Sequence, residues 1–232
     1  MVPKTKMLHG RHGARHARGL VVVIDVLRAF STACYVAAGG AGRIVSVADA
    51  DEAQRLKRLD SRAVLLGERD GCQIPGFDLG NSPSQAVRVD WGGRTAVLTT
   101  SNGTMGLAAV AHSDEVLTGS FANAGAIVKY IRWQAPALVS LVCMGSRGKP
   151  AIEDTLCGLY LAAALKGRPL PFEVLKGIIL RGGSVHRFLA SQSPDMPAED
   201  LERCLILDLF EFVFIVEKVP GWGTVLKRVD VA

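Results

Sequence analysis

Five short apolar runs in this 232-residue chain lead into polar groups able to do chemistry. "LVVVID" closes on Asp25, with Arg28 three residues further on, and "AVLL" is followed by Glu68 and Arg69. "TAVLTT" leads to Ser101 and Asn102, "EVLTGS" ends on Ser120, and "ALVSLVCMG" leads to Ser146 and Arg147, then to Glu153 and Asp154. If the runs are strands of one sheet, four carboxylates and two or three guanidiniums share one edge of it. That mixture suits a hard divalent cation and a phosphorylated substrate. Mg2+ takes carboxylate and water oxygens and bridges to substrate phosphate, while the planar fork of arginine grips phosphate through paired hydrogen bonds. The expected assignment places Glu68, Glu153 and Asp154, with Asp25, around Mg2+. Asp25, Arg28 and Arg147 act at the reacting phosphate, and Asn102, Ser120 and Ser146 bind substrate oxygens. Whether Asp25 attacks phosphorus itself or works through a water is left open by the sequence.

Each of these residues also has a plainer reading. Asp25, Asn102 and Ser120 sit where helix caps are needed, and acids in a first helical turn, as Glu153 and Asp154 are, favour the helix dipole. Arg28 and Arg147 could be tied up in structural ion pairs. It is the convergence of the set, rather than any one member, that argues for a site.

The elements that must position these groups follow from hydrophobic patterning. Continuous apolar runs such as "LVVVID" mark strands buried on both faces. Between them lie helical stretches, among them "DADEAQRLKRL", which Asp49 can cap while Glu52 reaches back three positions later. "PAEDLERCLILDLF" reads as a further helix and "EFVFIVEKV" as a strand near the C-terminus. Strands alternating with helices predict an α/β fold of three layers, α/β/α, with a mostly parallel or mixed sheet. The whole chain, 1–232, is read as a single domain, with joints between two similar subdomains admissible near 67–83 or 145–150. "GERDGCQIPGFDLGNSP" (67–83) is long for a connection, but Ile74, Phe77 and Leu79 can anchor it, so it reads as an ordered site loop that carries Glu68, with Asp78 and Asn81 bracing its turn.

Bulk properties exclude several classes. Hydrophobic residues make up 49% of the chain and mean hydropathy is +0.25, yet no run approaches the roughly 18 to 20 apolar residues of a membrane span. The N-terminal stretch lacks the apolar segment of a secretory signal, and the five scattered cysteines form no C-x-x-C pair. A cytoplasmic protein is expected, with the cysteines as core fillers. Lys4, Lys6, Arg11, Arg15 and Arg18 account for the whole formal excess of +5. That basic segment has no interleaved aromatics and reads as a solvated face, so nucleic acid is not an expected partner. The expected partner is a small phosphorylated acid, and a homodimer is compatible with the sequence. A non-catalytic sensor of such a metabolite would use the same residues.

Familiar motifs fail. No G-x-G-x-x-G follows a strand, and "GSRGKP" lacks P-loop spacing. Asp25 is not followed by a second aspartate, and only three residues separate Cys143 from Arg147. Taken together, however, "VVVIDVLRAFST", "GERDGCQIPGFDLGNSP", "LTTSNGT", "TGSFANA" and "CMGSRGKPAIEDTLCG" resemble, in order, the 2-phosphosulfolactate phosphatase family, over roughly residues 20 to 165, with a weaker echo in "EDLERCLILDLFEFV". The resemblance implies a Mg2+-dependent phosphatase of α/β/α build that converts 2-phosphosulfolactate to 3-sulfolactate and phosphate, on one route to coenzyme M. The chain departs from the family pattern at Phe30, Ser31 and Thr32 and in "CMGSRG", both on the expected substrate side.

Overall fold

The computed structural model describes residues 2–190 and 193–231. The chain opens with β1 (Lys4–His9) and a short helix α1 (Gly10–Arg15), then runs β2 (Leu20–Ile24), α2 (Ala29–Ala38), β3 (Arg43–Ser46) and α3 (Ala50–Leu59). Next come β4 (Val64–Arg69), the two-residue β5 (Cys72–Gln73), α4 (Pro83–Ala86), β6 (Thr95–Thr99), α5 (Gly103–Ala109) and β7 (Glu115–Gly119). A 3-10 turn (Phe121–Asn123) leads into α6 (Ala124–Gln134), followed by β8 (Leu138–Cys143), α7 (Ile152–Leu165), α8 (Phe172–Leu180), α9 (Gly183–Ala190) and α10 (Glu199–Cys204). A hairpin of β9 (Phe212–Val219) and β10 (Gly223–Asp230) closes the chain. Among the described residues no helix is long and apolar enough to cross a membrane.

The strands form one sheet in the order β1-β8-β2-β7-β9-β10-β3-β6-β4-β5. Two parallel blocks, β1-β8-β2-β7 and β3-β6-β4, are joined by the β9-β10 hairpin, which pairs antiparallel with β7 on one side and with β3 on the other. Side chains of a strand point alternately to the two faces, and β2 shows the consequence. Leu20, Val22 and Ile24 pack into an apolar cluster with α6, α7 and α8, while Val21 and Val23 enter a second cluster with α2 and Trp91. A third cluster lies beneath α3 and takes in Ile74 and Phe77 of the long connection. The fold is therefore α/β in three layers, with helices on both faces of a mixed sheet.

The 67–83 connection is ordered throughout. Its first residues extend β4, a turn at Asp70 and Gly71 with φ of 55° and 92° reverses the chain, and β5 pairs back onto β4. Asp78 accepts the Leu65 amide at 2.8 Å. Ser82 caps α4 by accepting the Gln85 amide, with Pro83 at its first position, where a missing N–H costs nothing.

Two local expectations are corrected. Asp49 does cap α3 through the Glu52 amide at 2.8 Å, but the Glu52 carboxylate turns to Arg55 at 2.7 Å instead of reaching back. The helix expected over 197–210 stops at Cys204. Beyond it the Asp208 and Phe210 amides bond to the Phe121 and Ala122 carbonyls, and the Asp208 carboxylate accepts the Gly125 amide, so that segment finds its backbone partners outside any helix. The basic N-terminal side chains are exposed, as a solvated face requires; Lys4 and Lys6 stand on the edge strand β1, in parallel register with β8 from Lys4–Leu138 to His9–Cys143, and Arg11 and Arg15 on α1. Four of the five cysteines are buried; Cys72 is exposed on β5.

Because β1 completes one parallel block, removing residues 1–9 is expected to lower the thermal midpoint by about 5 °C or more, read by circular dichroism. An unchanged midpoint would show that this strand contributes nothing to the sheet.

Candidate active site

A cleft of about 980 Å3 opens where β2, β4, β6 and β8 end, the edge of an open α/β sheet at which ligands bind. Asp25, Arg28, Glu68, Asn102, Ser146 and Arg147 line it. Ser120, Glu153 and Asp154, the remaining residues expected from sequence, do not. Ser120 is fully buried, and in a capping box with Asn123 its amide and hydroxyl both contact Asn123 Oδ1. Glu153 and Asp154 lie in the first turn of α7, both almost fully buried.

The carboxylates are held by backbone amides. Asp154 accepts the Val26 amide on Oδ1 and the Gly145 amide on Oδ2, each at 2.8 Å. Glu68 accepts the Ser101 amide at 2.7 Å, and its other oxygen takes the Gly71 amide at 2.8 Å and the Ser101 hydroxyl at 3.1 Å. Asp25 Oδ1 accepts the Ala29 amide at 3.3 Å, and Oδ2 lies against Gly103, where an added Cβ would sit 2.8 Å from it and 2.8 Å from the Ala29 Cβ. Only glycine lets α5 approach so closely.

Among the described residues no lysine or arginine forms an ion pair with Asp25, Glu68, Glu153 or Asp154. Burial without a cation favours the neutral acid. Desolvation, with the charges of Glu68 and Glu153 adding to it, pushes the Asp25 carboxyl up to about 7. Burial and the neighbouring Asp25 and Glu153 push Asp154 well above the carboxylate range. Burial also raises Glu153, which keeps some compensation from Ser184 and Arg187, yet its Oε2 has no hydrogen-bond partner.

Guanidiniums ring this acidic floor. Arg28 pairs with Asp200 at 2.9 Å in a buried salt bridge, whereas Arg147 meets Asp70 only at 3.7 Å, with both side chains mostly exposed. Arg147 has φ of 52°, the left-handed region that a residue with a Cβ seldom occupies, in a tight turn where Ser146 and Lys149 exchange backbone hydrogen bonds. Strain of this kind gathers at ligand sites. Asn102 precedes α5 but makes no side-chain cap bond, so its amide is not committed to the helix end.

The cleft holds further residues to which the sequence assigns no role in the site, although Arg69 is placed at its edge. Arg11 reaches it from α1 and Arg187 from α9, where Nη2 donates to Ser146 Oγ at 3.0 Å. Arg69 and Asn81 line it too, and the buried Asn81 Oδ1 has no partner. No pattern in "GRHGAR" or "GGSVHRFLA" marks the arginines in advance; only their position over the sheet edge does.

The donor set fits a hard cation in one mode only. Among the described residues no three His, Cys, Asp or Glu side chains gather into a ready-made cage. Asp25 and Glu68 line the cleft, with two further buried carboxyl groups and an unpartnered Glu153 oxygen close behind them. That suits an ion held by one or two carboxylates and otherwise by water and substrate oxygens, as Mg2+ usually is.

Fold and cleft together define an open α/β protein with a pocket lined by both acidic and basic side chains at the carboxyl edge of its sheet. The family model described as 2-phosphosulpholactate phosphatase matches residues 7–218. A probable 2-phosphosulfolactate phosphatase of Caldicellulosiruptor saccharolyticus is 42% identical over 143 residues, 60% of this chain and 59% of that protein. Similarly described proteins of Thermotoga petrophila and Symbiobacterium thermophilum are 38% identical, over 64% of this chain and 63% of the relative, and 33% identical, over 74% and 71%. The chain therefore belongs to the 2-phosphosulfolactate phosphatase family. The match spans about three fifths of the length of the first of these relatives.

The raised Asp25 value has a testable sign. A carboxyl whose folded value lies near 7, against an ordinary 3.8, contributes stability that is fully present below its unfolded value and is lost as pH rises through the folded one. In metal-free buffer, Asp25→Asn should therefore melt several degrees above the wild type at pH 8, at about 2–4 °C per kcal/mol for a chain of this size. The gain should vanish near pH 4. Equal gains at both pH values would show that the charge on Asp25 is not strained.

Proposed function

We propose that this protein is a Mg2+-dependent phosphoric monoester hydrolase acting on a small phosphorylated hydroxyacid, 2-phosphosulfolactate in the first instance, with 3-sulfolactate and phosphate as products. This would place it in the cytoplasm, on a route to coenzyme M. The observation that carries the reading is the meeting of Arg11, Arg28, Arg69, Arg147 and Arg187 with Asp25 and Glu68 in one cleft. A substrate with three acidic groups needs several guanidiniums, and phosphoryl transfer needs a strong negative locus opposite them to hold a cation.

Asp25 and Glu68 would hold Mg2+, with the buried carboxyl groups of Glu153 and Asp154 behind them. When bound, such an ion neutralises phosphate oxygens and acidifies water. Arg28 would grip the phosphate, while Arg147 and Arg187 take the sulfonate and carboxylate. The Asn102 amide and the Ser146 hydroxyl would orient the remaining oxygens. Asp25 would sit at the reacting phosphate, where a carboxylate can act as nucleophile or as general base. It either attacks phosphorus through Oδ2 or takes a proton from the attacking water. In both cases the ester P–O bond breaks, a P–O bond to water oxygen is finally made, and the proton ends on the departing hydroxyl of the product. Phosphate esters are among the slowest bonds to hydrolyse unaided, so positioned charge is the main thing the protein must supply.

The test is phosphate release from 2-phosphosulfolactate and related phosphorylated acids. Release is expected with Mg2+, should cease with EDTA and return with added Mg2+. Asp25→Asn should lower kcat by about 10³-fold, and Arg147→Ala should chiefly raise KM, by about tenfold. Tight binding of these acids with no turnover under any divalent metal would replace the enzyme reading with that of a metabolite sensor.

A further inference from the structure

Arg28 is fixed from behind by residues far away in the chain. Nη1 donates to Asp200 Oδ2 at 2.9 Å and to the Asp195 carbonyl at 2.6 Å, and the Phe188 ring lies 5.3 Å from Cζ. A guanidinium has five N–H donors. The two on Nη1 are committed, and Nη2 reaches the Gly71 carbonyl only at 3.5 Å. The Nε and Nη2 edge, which has the fork geometry that matches two phosphate oxygens, is left for a ligand in the cleft that Arg28 lines.

Asp200 is itself held. Its other oxygen, Oδ1, accepts the Ser82 hydroxyl at 2.8 Å, the Ser84 amide at 3.0 Å and the Ser84 hydroxyl at 2.6 Å. Both ion-pair partners are almost wholly inaccessible. A buried guanidinium deprived of its carboxylate must find another, and Asp25 and Glu68 border the same cleft. Swinging onto either would neutralise the acidic floor and remove the phosphate grip at once.

We propose that Asp200, seated on Ser82 and Ser84, is a positioning residue for phosphate binding: it holds Arg28 in its phosphate-receiving orientation and keeps it off the carboxylates of the cleft. The proposal rests on the reading of Arg28 as a phosphate-binding group.

The probe is inorganic phosphate, titrated calorimetrically into the full-length protein, with a melting curve for every variant. Asp200→Asn should weaken phosphate binding about tenfold, and Arg28→Ala at least as much. The double variant should bind no more weakly than Arg28→Ala alone, because Asp200 acts only through Arg28. Ser84→Ala, which removes one donor to Asp200 and keeps the backbone amide, should weaken binding about two- to threefold, and it serves as the readout if Asp200→Asn does not fold. Wild-type phosphate affinity in folded Asp200→Asn or Ser84→Ala, or losses that multiply in the double variant, would overturn the proposal and leave Asp200 a structural residue. Phosphate affinity unchanged in Arg28→Ala would instead overturn the underlying reading, and the proposal with it.

Discussion

Asp154 accepts the Val26 amide through one oxygen and the Gly145 amide through the other, tying the exits of the adjacent strands β2 and β8 to the first turn of α7. The chain segments that carry Asp25, Arg28, Ser146 and Arg147 all leave the sheet within a few residues of that carboxylate. Two charge-assisted backbone bonds fix their starting directions. The same carboxyl is buried beside Asp25 and Glu153, whose charges oppose its own, so the brace that sets the geometry is also part of the acidic cluster beneath the cleft. One interaction serves both shape and charge, and neither can be relaxed without the other.

Around that brace the site divides into two electrostatic layers. Among the described residues the inner carboxylates form no ion pair and rest mainly on backbone amides, while the guanidiniums are held elsewhere or left exposed: Arg28 by Asp200, Arg187 on Ser146, Arg147 in its left-handed turn. A protein concerned only with stability would let acid and base meet. Keeping them apart costs folding free energy, and the large apolar clusters on either face of the sheet can bear that cost. Separation of this kind is what a site for a cation and a polyanion requires.

Much of this arrangement was legible in the sequence because buried parallel strands announce themselves as continuous apolar runs, and the rule that ligands sit beyond their carboxyl ends converts strand order into a list of site residues. Asp25, Arg28, Glu68, Asn102, Ser146 and Arg147 were placed on the cleft in this way. The illegible parts have physical reasons. β1 opens Lys-Thr-Lys and holds no continuous apolar run, so nothing in its pattern marks it as a strand. Helix α10 ends early because its continuation is captured by the 3-10 turn, a tertiary contact that no local propensity reports. Ser120 follows a strand like the others, yet its side chain is turned inward to a cap. Asp200 looks like an ordinary acid in the first turn of a helix, and only the fold brings Ser82, Ser84 and Arg28 around it.

The order of the strands sets terms for how the molecule can be made. β9 and β10, the last strands in the chain, lie at the middle of the sheet between β7 and β3. Until they emerge from the ribosome, the nascent polypeptide carries two half-sheets with raw inner borders, each a template for a neighbouring chain. Those borders are sealed only once residues 212–230 have been made, so a product lacking them would lose the keystone of its sheet.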